Sequence, residues 1–289
     1  MKGLLVRNAY WHSSEYTYQH TRLQEELASF GVGLDIVDNN RVLATVAMDK
    51  NKVSAEYDFC VFWDKDLYLL EALEQTGLRV FNRLDAVRVC DDKMLTALAL
   101  DKAGIPMPKT MAAPLFFGKQ AVVDEVFLAE AQAKLGYPMI VKKVRGSLGE
   151  QVGLAHDKVE LQNLVGKMDD RYILQEYIKE SNGSDIRVLV VGDKVLGAIR
   201  RQGSDFRSNA ALGGSVSAYS LEQEAQEMCL GIAKILGLDY CGIDLLPDGK
   251  GGYKVCEVNS NAFFGAFERA TGTNVARELA GYVIGKSRT

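Results

Sequence analysis

Apolar and polar positions along this chain follow two rhythms, and near the start they take turns. Residues 3–6 form a short apolar run, read as a strand. Residues 16–30 space their apolar positions at helical intervals and stop at Gly31, a residue suited to a helix C-cap. Residues 34–37 and 57–63 read as two further strands, residues 67–75 as a helix that stops at Gly77, and residues 80–82 as a fourth strand. Strands that alternate with helices predict an α/β unit with a parallel sheet. Ligands approach such sheets at the carboxyl ends of the strands, which puts residues 7–12 beside a candidate crevice.

Beyond residue 90 the rhythm changes. Asp91 or Asp92 caps a helix through Lys93, Leu95, Leu98 and Leu100 that Gly104 and Pro106 end. Residues 105–108 read as a linker, residues 124–135 as a helix, and residues 138–143 as a strand that opens on Pro138, where no ladder donor is needed. Lys142 and Lys143 end that strand on opposite faces, so one can meet a ligand while the other meets solvent. Gly146, Ser147 and Gly149 follow in a glycine-rich loop before a strand at 152–155. The loop lacks the Gly-Lys-Ser/Thr ending of a P-loop and reads as a hairpin lid whose N–H groups can cover phosphates. Residues 173–178 are an apolar strand, and residues 186–191 and 195–199 flank Gly192-Asp193 as a hairpin. Arg200 and Arg201 end that hairpin, with Arg207 and Asn209 in the loop beyond, and a guanidinium fork suits phosphate or carboxylate. Residues 221–236 and 274–285 are helical in pattern.

The segment with the sharpest chemistry is residues 242–259. Two apolar runs flank Asp248-Gly249-Lys250-Gly251-Gly252, a hairpin signature. With the turn centred between Lys250 and Gly251, Asp244 falls opposite Glu257, and Asn259 shares the face of Glu257. Facing carboxylates repel unless a cation lies between them. Carboxylate and amide oxygens without Cys or His suit Mg²⁺ or Mn²⁺, and Mg²⁺ in such settings also touches substrate phosphates.

Composition narrows the class. The 289 residues exceed one common domain, with ordinary hydrophobic (47%) and charged (25%) fractions. A net charge of −4 argues against broad nucleic-acid binding. Five scattered cysteines with no C-x-x-C pair read as buried thiols in a reducing cytosol. The first residues reach a charge at once and no run has membrane-spanning length, so a cytoplasmic, non-membrane protein is expected. Whether copies assemble as a homo-oligomer stays open.

The order of these features resembles the ATP-grasp fold, and within it the RimK-type amino-acid ligases. The likeness rests on Gln175-Glu176-Tyr177-Ile178-Lys179-Glu180, Asp185-Ile186-Arg187, Asp205-Phe206-Arg207-Ser208-Asn209 and Glu257-Val258-Asn259. It covers residues 85–284 and implies an α/β ATP-grasp fold with an N-terminal parallel α/β (pre-ATP-grasp) domain at 1–85. A central subdomain with the glycine-rich lid would span 86–175, and a C-terminal subdomain with the metal site 176–289. It implies that Lys93 and Lys142 contact ATP phosphates, that the main chain at Glu176, Tyr177 and Ile178 reads the adenine edge, and that Asp185 holds the ribose. It further implies that Arg207, with Asn209 beside it, contacts phosphate and intermediate, that Arg200 or Arg201 orients the carboxylate substrate, and that Asp244, Glu257 and Asn259 ligate magnesium.

The implied activity is an ATP-dependent carboxylate–amine ligase that forms an amide through an acylphosphate. The acid would be a small molecule, peptide or protein, and the amine an amino acid. A kinase-like phosphotransferase and a nucleotide-binding regulatory module are the alternatives. Departures concern the acceptor side. The family's lid commonly reads Glu-Gly-Thr-Gln-Gly-x-Gly, whereas this chain has Arg145, Ser147, Leu148 and Gln151 at the Glu, Thr, Gln and last Gly positions. A Pro common three residues after Glu-Val-Asn is Ala262, followed by Phe263 and Phe264. A resemblance to the lysine- and arginine-pathway ligases that act on a carrier protein stands beside the RimK one.

Overall fold

The computed structural model describes residues 1–42, 55–118, 121–146, 152–206 and 214–288. The chain opens with β1 (Lys2–Arg7), α1 (Ser14–Ser29), β2 (Gly33–Asp38), β3 (Phe59–Trp63), α2 (Leu67–Glu74) and β4 (Arg79–Phe81). The strands form the expected parallel sheet, in the order β2-β1-β3-β4. All five residues of β3 are buried, as a strand covered on both faces requires. Ser13 caps α1 by accepting from the Tyr16 amide, and Asp66 caps α2. Arg7, at the carboxyl end of β1, donates from Nε to Asp38 Oδ1 at 2.6 Å.

Two helices follow where one was expected. α3 (Leu84–Asp91) and α4 (Lys93–Lys102) meet at Asp92, whose side chain accepts from the Met94 and Leu95 amides at 3.0 and 2.9 Å. The cap is therefore Asp92 rather than Asp91, and its extended backbone breaks what would be one helix. β5 (Thr110–Ala112), α5 (Glu125–Leu135), β6 (Met139–Lys143), β7 (Val152–Ala155), α6 (Lys158–Val165) and β8 (Tyr172–Glu176) build the middle of the molecule. Their four strands form an antiparallel sheet in the order β5-β8-β6-β7, with its own apolar core around Met139, Val141, Leu161 and Leu174. Asp157 caps α6: Glu160 N donates to Asp157 Oδ1 at 2.9 Å, and the Glu160 carboxylate accepts from the His156 amide, one residue before the cap, at 2.8 Å.

The last part holds β9 (Ser184–Val191), β10 (Lys194–Gln202), β11 (Ser215–Tyr219), α7 (Gln223–Leu236), β12 (Tyr240–Pro247), β13 (Tyr253–Asn259), α8 (Gly265–Thr271) and α9 (Val275–Ser287). Its five-stranded antiparallel sheet runs β11-β10-β9-β12-β13. Side chains alternate across β9. Ile186, Val188 and Val190 pack toward α7, while Leu189 and Val191 face the N-terminal sheet and α9. One core thus joins Leu5, Leu23, Phe59 and Trp63 to Leu189, Tyr240, Phe264, Phe267 and Leu279. Asn82 reinforces this seam. Its Nδ2 donates to the Tyr240 and Ser260 carbonyls, both at 2.7 Å, and its Oδ1 accepts from the Asp239 and Tyr240 amides at 2.6 and 3.1 Å.

His20 in α1 gives the fold a pH dependence. Its ring is buried edge-on to Tyr16 and stacked on Trp63, and neither nitrogen finds a hydrogen-bond partner among the described residues. Burial, assisted by the Arg7 guanidinium, pushes its pKa down to about 4. The unfolded imidazole titrates near its ordinary value of about 6.5, so the unfolded chain takes up the proton first as pH falls. Stability is therefore full above about pH 6.5 and declines toward pH 4, by roughly 2–3 kcal/mol at about 1.4 kcal/mol per unit. Urea titrations at pH 7.5 and 4.5 should show this loss in the parent and a smaller one in His20→Phe; parallel losses would mean that His20 is not its source.

Candidate active site

The acidic hairpin is β12 and β13. Asp244 pairs with Glu257 and Gly242 with Asn259, so the three expected oxygen donors share one sheet face. The register is reached in an unexpected way. Nearer the turn Leu245 pairs with Val255, so Cys256 is an extra residue in a β-bulge beside Asp244. The bulge lets Cys256 face the same cleft as its neighbour Glu257, with its Sγ 3.6 Å from Lys142 Nζ. Asp248 closes the turn by accepting from the Lys250 and Gly252 amides at 2.8 and 2.9 Å. Gly242 is glycine for want of room: a Cβ there would lie 2.6 Å from the Ala262 Cβ and 3.5 Å from Arg187 Nε.

Asp244 and Glu257 do not face each other as bare charges. Asp244, only 4% exposed, receives Arg187 through two bonds of 2.7 and 2.6 Å and Arg201 through a third of 3.0 Å. Burial alone would raise its carboxyl pKa, but the Arg187 and Arg201 guanidiniums outweigh burial and hold it below the ordinary range. Glu257 instead meets Lys93, at 3.2 Å. Local spacing could not reveal these partners, because each cation comes from another strand or helix. Arg187 was within reach of a simpler argument. It lies two residues after Asp185 on β9 and therefore on the same face.

Arg201, Arg200 and Asp185 are placed differently from expectation. Arg201 does not stand open to a carboxylate substrate. It is 7% exposed, and its guanidinium is held by both oxygens of Asp185 as well as by Asp244. Arg200 leaves the other face of β10 and lies over the Tyr219 ring, 5.2 Å from its centroid. Asp185 is itself buried, with both oxygens accepting from Arg201, so a ribose contact there has to be made alongside that clamp.

Of the other expected site residues, Lys93, Lys142 and Glu257 come together in the cleft between the two antiparallel sheets. Lys93, Thr96, Lys142, Gln175, Cys256 and Glu257 line it. Lys93 Nζ also donates to the Gly146 carbonyl at 3.1 Å, and Lys142 Nζ to Gln175 Oε1 at 2.9 Å. Lys143 points away and pairs with Asp169. Glu176 ends β8, where Lys254 and the Lys109 amide bind its carboxylate; burial opposes them, but together they lower its pKa. Tyr177 and Ile178 lie past the strand end, and the Ile178 carbonyl accepts from Ser181 N and Oγ. Gln175, Cys256 and Lys254 were not foreseen as members of the site. Ser147, Gly149, Arg207 and Asn209 lie outside the described residues. Among the described residues no group of three or more His, Cys, Asp or Glu side chains is arranged to hold a metal, the hairpin's third donor being an amide. No helix among them is long and apolar enough to cross a membrane.

A parallel α/β unit followed by two antiparallel sheets that enclose a lysine-lined cleft is the ATP-grasp architecture. The chain superposes on the RimK domain protein ATP-grasp from Sphaerobacter thermophilus with a TM-score of 0.73, at 21% identity, over 98% of this chain and 99% of that one. In sequence, residues 90–283 match the RimK-like ATP-grasp domain, and the chain belongs to that family. It is 38% identical over 225 residues to beta-citrylglutamate synthase B of Danio rerio, across 76% of this chain and 54% of that one. It is 29% identical to a probable alpha-L-glutamate ligase of Vibrio cholerae, across 97% and 94%. The chain thus spans about half the length of the first of these relatives.

Proposed function

We propose that the protein is an ATP-dependent carboxylate–amine ligase. One observation carries this reading: Lys93, Lys142 and Glu257 line a single cleft between two sheets, with Asp244 and Asn259 on the adjoining strand face. Lys93 and Lys142 bind phosphate oxygens of ATP as point charges. The main chain of Glu176, Tyr177 and Ile178 meets the adenine, and Asp185 the ribose. Gly146, Ser147 and Gly149 are assigned to covering the phosphates, and Arg207 and Asn209 to binding the transferred phosphate. The oxygen donors fit a hard divalent cation: Asp244, Glu257 and Asn259 would hold Mg²⁺ or Mn²⁺. When bound, that cation neutralises charge on the phosphates.

The reaction balances without a protein nucleophile. A carboxylate oxygen attacks the γ-phosphorus, the bond to the bridging oxygen breaks, and ADP leaves with that electron pair. The amine nitrogen then attacks the acyl carbon, phosphate leaves from the acylphosphate, and the nitrogen loses a proton. Positioning and charge neutralisation supply most of the rate in the first step. Exclusion of water protects the acylphosphate. The amine is an amino acid, and glutamate, common to the names of both relatives, is the first to test. A cytoplasmic setting supplies ATP and free amino acids together.

The test is a panel of acids with ATP, Mg²⁺ and glutamate, with phosphate release and product mass both read. ADP, phosphate and amide should appear in equal amounts, and hydroxylamine in place of the amine should yield a hydroxamate. A stable phosphorylated product, with no amine dependence and no hydroxamate, would mark a phosphotransferase. ATP binding with no ADP formed across the panel would mark a regulatory module.

The two adjacent lysines give a sharper check on the nucleotide side. Lys142→Ala should weaken ATP binding about 10–100-fold, the worth of one charge-assisted contact of roughly 1.5–3 kcal/mol. Lys143→Ala removes only a pair with the exposed Asp169 and should change it by less than about twofold. Equal effects in a calorimetric titration would refute the assignment of Lys142 to the phosphates.

A further inference from the structure

Arg201 grips two carboxylates that belong to different strands. Its Nε donates to Asp185 Oδ1 at 2.7 Å and its NH2 to Asp185 Oδ2, and the same NH2 lies 3.0 Å from Asp244 Oδ2. Asp185 is its direct neighbour across the β9–β10 ladder. Asp244 is two strands away, on β12, so the guanidinium reaches across β9 to find it. Resting on the nucleotide and metal assignments above, we propose that Arg201 is a positioning residue. It ties the ribose side of the site to its metal side, so that nucleotide and divalent cation bind cooperatively through it.

Burying this cluster is costly. Asp185, Arg201 and Asp244 are all buried, and Arg187 closes the group into two anions and two cations. Buried ion clusters are no more stable than well-packed apolar residues of similar volume and are often less so. The same sheet face is apolar a few residues away, at Leu189, Val191 and Ile199, so the fold accommodates hydrophobic side chains there. The change from apolar to charged falls between Leu189 and Arg187 on β9 and between Ile199 and Arg201 on β10. Stability does not account for it, whereas geometry does. The phosphate chain of a nucleotide has a limited length, so ribose and metal are engaged together only if Asp185 and Asp244 keep a set spacing. One planar guanidinium with two of its nitrogens committed sets that spacing. A lysine, a single compact charge, cannot hold both carboxylates in the same way.

Calorimetry on the full chain tests this with three probes: adenosine, ADP without metal, and ADP with Mg²⁺. In the parent Mg²⁺ should strengthen ADP binding. In Arg201→Lys that enhancement should shrink about fivefold or more, within the usual range of coupling between two sites. In turnover the KM for ATP should rise while the KM for the acid stays within about twofold, a split that general loosening of the fold would not produce. Asp185→Asn is nearly isosteric, and its described link to Asp244 runs through Arg201. It should also reduce the Mg²⁺ enhancement, which extends the test should the Arg201 variant fail to fold. An unchanged Mg²⁺ enhancement in either folded variant, or a rise confined to the KM for the acid, overturns the proposal. If the parent binds Mg²⁺ and ADP but forms no amide with any acid and amine, the ligase reading falls, while the binding arms still decide the role of Arg201.

Discussion

Glu257→Gln is expected to lower ATP-dependent amide formation by about two to three orders of magnitude, the loss of one metal ligand's share of charge neutralisation. The fold should survive. The side chain is partly exposed, and its pairing with Lys93 at 3.2 Å can be kept by the amide oxygen of Gln. Surface pairs of this kind are worth about 0–1 kcal/mol, so the melting temperature should move little. Had Asp244 and Glu257 faced each other unpaired, the same change would have raised stability by relieving repulsion. The arginines on Asp244 and the lysine on Glu257 remove that expectation. Turnover within about threefold of the parent, at saturating Mg²⁺, would rule Glu257 out as a ligand.

Arg187→Met should have the larger effect on stability. Asp244 is 4% exposed, and the substitution removes two of its three described cationic contacts while filling most of the same volume. Taking one partner from a buried ion pair costs about 3–5 kcal/mol, because the remaining charge stays out of water. Urea unfolding at neutral pH measures it directly. Arg187→Met with Asp244→Asn removes both charges and should recover much of the loss without recovering turnover. A loss below about 1 kcal/mol in the single variant would mean that Arg201 alone suffices to hold Asp244.

How far the sequence could be read depended on the range of each contact. Most strands declared themselves as short apolar runs, although β5 and β11 did not, and the opposite facing of Lys142 and Lys143 follows from the two-residue period of a strand alone. The pairing of Asp244 with Glu257 was also legible, although the route to it was not. The turn is set one residue differently, and the bulge at Cys256 restores the pairing. α3 and α6, eight residues each, were not read as helices, although Asp157 three residues before Glu160 marked the start of the second. The charge partners were the least legible. Arg187 lies 57 residues from Asp244, and Lys93 meets Glu257 from the far side of the central sheet in sequence. No local period carries such pairs, and the resemblance to RimK-type ligases named site residues without naming what holds them.

The apolar seam between the two ends of the chain bears on what can be cut away. The family signature occupies residues 90–283, and a fragment with those bounds would look like the natural one to express. Yet Leu189, Val191, Ile199, Tyr240, Phe264 and Phe267 are buried against Leu5, Leu23, Phe59, Trp63 and their neighbours, and Asn82 satisfies main-chain groups at residues 239, 240 and 260. Removing the first 89 residues would lay a contiguous hydrophobic face open to water and orphan those polar groups. The segment that carries the signature is therefore not a self-sufficient unit, and its smallest autonomous form has to retain the amino-terminal sheet.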